Sequence, residues 1–154
     1  MKTLLDMNQL KDDLTRDEGR VDEIYVDSLG YKTFGIGHLV LETDSEYNWT
    51  VGAEVEADRV NECFEDDLFE AQSECVHLYG CEEWWDFDGE LQSILINMMF
   101  NLGRSRLKGF KKMNAAIARR DWKEAGKEGR DSKWYRQVGN RADRLMTRME
   151  NLGA

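Results

Sequence analysis

The sequence predicts an α+β protein: a small N-terminal lobe built on a β-hairpin, a long connecting helix and a helical C-terminal lobe. Three observations predict it. Side chains alternate with period two between Val21 and Ile36, around the turn residues Asp27-Ser28-Leu29-Gly30. Val60, Cys63, Phe64, Leu68, Ala71 and Cys75 then recur at helical spacing along one long segment. The helical period returns in Leu91, Ile94, Leu95, Met98, Met99 and Leu102, and two or three more helices follow. The 154 residues suit one domain, 1–154, with approximate lobes at 19–65 and at 1–18 plus 66–154. A chain of that length hides roughly two-thirds of its unfolded surface, enough for a real core.

Taken in order, Asn8 is placed to cap a first helix that runs to about Glu18, with Leu10 and Leu14 on one face. Gly19 supplies a left-handed stop. The hairpin follows, and its Gly35 and Gly37 suggest a close backbone approach. A third short strand is expected around Leu39-Val40-Leu41, and residues 42–53 read as loop. The long helix spans Val55 to about His77, its acidic face (Glu62, Glu65, Asp66, Glu70, Glu74) turned to solvent. The 91–102 helix carries Ile96 and Phe100 on a second apolar face, which places it mid-core, and Gly103 ends it. Helices are expected around Met113–Arg119, Trp122–Glu128 and Ser132–Asn151.

The net charge of −10 is unevenly spread. Residues 1–100 hold 6 basic and 25 acidic side chains, a net of −19; residues 101–154 hold 15 and 6, a net of +9. A basic half suits an anionic polymer, and equally suits attraction between the two halves. No basic stripe interleaved with aromatics appears, so nucleic acid is not an expected partner. The start, Met1-Lys2-Thr3-Leu4-Leu5-Asp6, is not a signal peptide, and no apolar run approaches a membrane span. These features predict a soluble protein made in a cytoplasm, with no membrane insertion. Cys63, Cys75 and Cys81 are odd in number and read as free thiols. With His77 they match no zinc spacing, so neither metal nor cofactor is expected.

Eight residues separate Glu18 from Asp27, and five separate Asp27 from Thr33. Glu18 closes a helix, where the macrodipole disfavours negative charge and so suits a proton donor. Asp27 ends a strand, and Thr33 lies on the returning strand, read as across from it, where carboxylate and hydroxyl hold one water between them. Each residue alone has an ordinary structural role: a surface acid, a turn aspartate, a strand threonine. Together they fit a glycosidase of the inverting kind, which needs carboxyls about 6.5–9.5 Å apart, against about 5–5.5 Å for retention.

The run Asp17-Glu18-Gly19, then Ile24-Tyr25-Val26-Asp27, then Gly30-Tyr31-Lys32-Thr33-Phe34-Gly35-Ile36-Gly37-His38-Leu39 resembles the T-even phage lysozymes, endolysins of the family 24 glycoside hydrolases. The likeness returns in residues 96–103, in Gly109-Phe110, in Ser132-Lys133-Trp134-Tyr135 and in Asn140-Arg141-Ala142. It implies a lysozyme-like fold and a muramidase that cleaves the β-1,4 bond between N-acetylmuramic acid and N-acetylglucosamine in peptidoglycan. It implies Glu18 as general acid, and Asp27 and Thr33 as the groups that activate water. Arg141 matches an arginine that pairs with the catalytic glutamate, Leu39 and Phe100 match residues lining the substrate cleft, and His38 matches a histidine paired with a carboxylate at Asp67. It further implies a monomer, held in the host cytoplasm, that reaches the wall for host lysis once a separate holin has opened the membrane. The chain departs from the family in its acidic charge, and in Leu29, Met113 and Glu128, which stand where the best-known member has a glutamate in the turn and polar substrate contacts. A lytic transglycosylase would need the acid without a base, and a lysozyme-like structural part of a virion would need neither.

Overall fold

The computed structural model describes residues 2–154 and bears out the α+β expectation, with a small antiparallel sheet followed by helices. The chain divides into two compact units, one of residues 8–70 and one of residues 2–7 with 71–154.

In the first unit, helix α1 (Met7–Glu18) buries Leu10 and Leu14 completely. They stand four residues apart on one face, and each such burial contributes about 1.5–3 kcal/mol. The helix starts at Met7, two residues earlier than a cap at Asn8 implies, so Asn8 lies inside its first turn instead of capping it. It ends as expected at Gly19, at φ +78°, whose N–H bonds the Thr15 carbonyl at 2.9 Å.

Strands β1 (Val21–Val26), β2 (Lys32–Gly35) and β3 (His38–Leu39) form one antiparallel sheet in that order. Tyr25 faces Thr33 and Val26 faces Lys32; on the other side of β2, Thr33 faces Leu39 and Phe34 faces His38. The register corrects one expectation. Thr33 lies across from Tyr25, not from Asp27, because Asp27 donates its N–H to the Tyr31 carbonyl (2.9 Å) and so closes the turn. Asp27 and Thr33 are diagonal neighbours on the same face.

Residues 42–53 are turns, as expected, but they are tied down. Glu46 is 1% exposed and takes a two-pronged bond from Arg59, at 2.9 and 3.0 Å. A buried carboxylate needs such a partner. The loop's end then runs along β1: Ile24 N–H bonds Ala53, Gly52 N–H bonds Ile24, and Val55 N–H bonds Asp22. Val55 therefore belongs to this pairing, and the long helix α2 begins at Ala57 and runs to Tyr79. Its acids Glu62 and Glu65 face solvent and pair with Arg59 and Lys11.

In the second unit, helices α3 (Cys81–Asp86), α4 (Gly89–Leu102), α5 (Arg104–Lys108), α6 (Lys111–Ala118), α7 (Trp122–Arg130), α8 (Lys133–Val138) and α9 (Asn140–Glu150) follow. Helix α4 is buried at nearly every residue from Gly89 to Met99, the mid-core position its apolar faces predict. Helices α3 and α5 escape the sequence reading because five or six residues show no period. The expected helix 132–151 is two helices, divided at Gly139. Arg130 joins α7 to α9 through Asp143, Thr147 and Glu150. Residues 2–7 lie on the start of α4. Thr3 gives its N–H and hydroxyl to the Asp88 carboxylate, and Gly89 N–H bonds the Thr3 carbonyl at 2.8 Å. A Cβ on Gly89 would collide with the backbone of Leu4 and Leu5. Among the described residues, no helix is long and apolar enough to cross a membrane.

Candidate active site

The face of the sheet that carries Thr33 carries a row across three strands: Tyr25 on β1, Thr33 on β2 and Leu39 on β3. Asp27 stands two residues beyond Tyr25 on the same side. Its Oδ1 accepts the N–H groups of Leu29 (2.9 Å) and Tyr31 (2.8 Å), fixing the turn. Its Oδ2 accepts no bond from the described residues, so the carboxylate is half structural and half available. Thr33 is 5% exposed and donates its hydroxyl proton to the Tyr31 carbonyl at 3.1 Å, leaving its lone pairs as acceptors. Leu39 is 45% exposed.

Glu18 is the last residue of α1 and is half-buried. Its carboxyl lies against Gly37, which holds φ +66°; a Cβ there would stand 2.6 Å from Glu18 Oε1. The second glycine of Gly35-Ile36-Gly37 is thus where the backbone passes close to the acid. Gly35 does the same toward α2, where a Cβ would meet Val60 at 3.0 Å. The Tyr25 phenol is raised above its ordinary pKa, first by burial and then by the charges of Glu18 and Asp27. It therefore stands in the field of both carboxylates.

Beside this face, His38 is clamped at both ring nitrogens. Nδ1 lies 2.7 Å from Asp67 on α2, and Nε2 lies 2.8 Å from Asp44 in the 42–53 loop. Burial alone would lower the imidazole's pKa, but the two carboxylate bonds outweigh it and the value is raised. Asp44 is lowered: burial opposes ionisation, and the Leu41 N–H, His38 and Arg59 overcome it. His38 thereby ties β3, the loop and α2 together directly behind Leu39. The sequence singled out His38 and Asp67, and the structure brings them together. Asp44, Glu46 and Arg59 were not singled out, since nothing in a polar loop marks which acid will fold back. Tyr25 was also missed, although alternation alone puts it on the face of Asp27.

Arg141 and Phe100 belong to the second unit. Arg141 is buried on α9 and donates from Nε to Asn97 Oδ1 (2.9 Å) and from Nη2 to the Asn97 carbonyl (3.3 Å). Phe100 is half-buried in the last turn of α4.

A family model for phage lysozyme matches residues 15–151 of the chain, nearly its whole length. The chain belongs to the phage lysozyme family. It is a glycoside hydrolase of the lysozyme type. It is 32% identical over 148 residues to the pre-baseplate central spike protein Gp5 of Enterobacteria phage T4, covering 86% of this chain but 26% of that protein. It is 30% and 29% identical, over 166 aligned positions each, to the probable T4-type lysozymes 1 and 2 of Dictyostelium discoideum. Those two matches cover 94% of this chain and 95% of each relative. The phage lysozyme chain thus spans about a quarter of the spike protein and nearly all of the two stand-alone relatives.

Proposed function

We propose that this phage lysozyme is an endolysin that hydrolyses the β-1,4 bond between N-acetylmuramic acid and N-acetylglucosamine in peptidoglycan, with inversion. The observation that carries the reading is the sheet face itself. Asp27 offers one unengaged carboxylate oxygen beside a threonine hydroxyl that can only accept. One water with two protons to place fits such a pair. Asp27 Oδ2 takes one proton from that water as its oxygen attacks the anomeric carbon, while the other proton stays on that oxygen and donates a hydrogen bond to Thr33 Oγ1. Glu18 gives its proton to the departing glycosidic oxygen. The resemblance further assigns Leu39 and Phe100 to substrate binding and Arg141 to the support of the acid. His38 and Asp67, with Asp44, hold the strand from which Leu39 projects. No step in this scheme calls for a metal or a cofactor. The enzyme acts as a monomer and waits in the host cytoplasm until a separate holin opens the membrane.

Digestion of purified peptidoglycan tests the reading. New reducing ends, formed first as the α-anomer, and a loss of about 10²–10⁴-fold in Glu18→Gln are the expected results. Anhydro-muramic ends, or wild-type lysis by Glu18→Gln, would overturn it. The match to a spike protein favours a second reading, a lysozyme module that serves inside a virion. Activity that sediments with phage particles, instead of staying free in the lysate, would decide for it.

A further inference from the structure

Among the described residues, the hydrogen bonds of the sheet face leave the Tyr25 hydroxyl without a partner. Tyr25 is half-buried directly opposite Thr33 and two residues before Asp27, on their side of the sheet. The Thr33 hydroxyl proton is committed to the Tyr31 carbonyl, and Asp27 Oδ2 is an acceptor, so both can only receive a bond from water. Two acceptors fix the two protons of a water. They leave its oxygen free to swing about the line between them, and a nucleophile aimed in that way is loosely held. A donor is the missing element, and the Tyr25 hydroxyl is the donor the face supplies.

We propose that Tyr25 is a third water-positioning group, donating its phenol proton to one lone pair of the attacking water while the other lone pair meets the anomeric carbon. The inference rests on the reading of Asp27 and Thr33 as water-holders. In the step, the bond from water oxygen to the anomeric carbon forms and the glycosidic bond breaks. One water proton passes to Asp27, and the other stays on the new hydroxyl and bonds Thr33. The Glu18 proton leaves with the departing sugar, and Tyr25 keeps its own proton throughout. Burial and the two carboxylates oppose ionisation of the phenol, so it remains a donor across the working pH range.

The test is a double-mutant cycle of Tyr25→Phe and Thr33→Val, read on a tetrasaccharide of alternating N-acetylglucosamine and N-acetylmuramic acid. Rates are taken well below every variant's melting midpoint. Phenylalanine keeps the ring, and the hydroxyl bonds nothing among the described residues. The melting midpoint of Tyr25→Phe should therefore stay within about 1 °C. Its kcat should fall about 10- to 100-fold with KM changed less than about twofold. The double variant should lose less than the product of the two single losses, because both groups act on one water. A wild-type kcat in Tyr25→Phe beside an impaired Thr33→Val overturns this inference alone. So does a rise in KM at constant kcat, or losses that multiply fully. A wild-type kcat in Thr33→Val removes the water-holding reading, and this inference with it.

Discussion

Replacing Gly37 with alanine tests whether Glu18 is the acid without touching Glu18. The new Cβ would stand 2.6 Å from Oε1 and 3.1 Å from Cδ of Glu18. Real Cβ contacts essentially never fall under 3.0 Å, and 3.4 Å is ordinary contact. The carboxyl oxygen must therefore retreat by 3.0 − 2.6 = 0.4 Å at least, and by 3.4 − 2.6 = 0.8 Å for comfort. A misplacement near 1 Å at a reacting group costs on the order of 10²-fold, so kcat should fall about 10- to 100-fold. The left-handed φ adds a separate effect on stability, about 1–2 kcal/mol for a residue with a Cβ. At about 2–4 °C per kcal/mol, the melting midpoint should drop by roughly 2–8 °C. Gly80→Ala separates the two effects: Gly80 also holds a positive φ, +90°, and has nothing within 4 Å of a would-be Cβ. It should lose comparable stability and keep its rate. The assay is release of reducing ends from peptidoglycan at a temperature where all three proteins are folded. Equal rates for Gly37→Ala and wild type would show that displacing this carboxyl does not matter, and the assignment of Glu18 would fail.

The His38 clamp predicts a pH window. The raised histidine contributes stability that is complete below its unfolded value of about 6.5 and is lost as pH rises through the folded one. The depressed Asp44 contributes stability that is complete above about 3.9 and is lost as pH falls through its folded value. Both are in full between about pH 4 and 6.5, so His38→Gln should cost more melting temperature near pH 5 than near pH 9; an NMR titration placing His38 at or below about 6.5 would contradict this. Asp88→Ala removes the α4 cap and the anchor of Thr3, and should cost about 1–2 kcal/mol. A midpoint within about 1 °C of wild type would show that the anchor adds nothing. Raising salt from about 0.01 to 0.1 M shortens the screening length from about 30 to 10 Å. Long-range repulsion between an acidic chain and an anionic wall should fade first, so lysis should rise or hold. A steep fall from the lowest salt would mean that the basic residues after position 100 dominate wall binding.

What the sequence revealed and concealed follows from how local each signal is. Periodicity is local, and it placed α1, the hairpin, α2 and α4. It also put Asp27 and Thr33 on one face. The exact pairing was not local: the choice between Asp27 and Tyr25 opposite Thr33 depends on how the turn closes, and Asp27 closes it with its own backbone. Val55 was read as helix because its apolar side chain fits either period, yet its N–H is taken by Asp22. The hidden part of the site lies in the 42–53 loop. Asp44 and Glu46 are two of the chain's 31 acids, and only folding selects them as partners of His38 and Arg59.

The attachment of residues 2–7 to α4 has a consequence for assembly. The helical unit is not one stretch of chain: residues 8–70 leave it and return before Ala71. Joining Thr3 to Asp88 therefore closes a loop through an entire other unit. For a flexible loop of that length the entropy of closure is about 3–4 kcal/mol before any constant term. That cost shrinks once residues 8–70 are compact and hold their two ends at a fixed span. The order of events then favours the sheet-bearing unit collapsing early and the N-terminal segment docking late. Late docking predicts that the Gly89 amide, which bonds the Thr3 carbonyl, exchanges its hydrogen faster than the α4 amides that follow it.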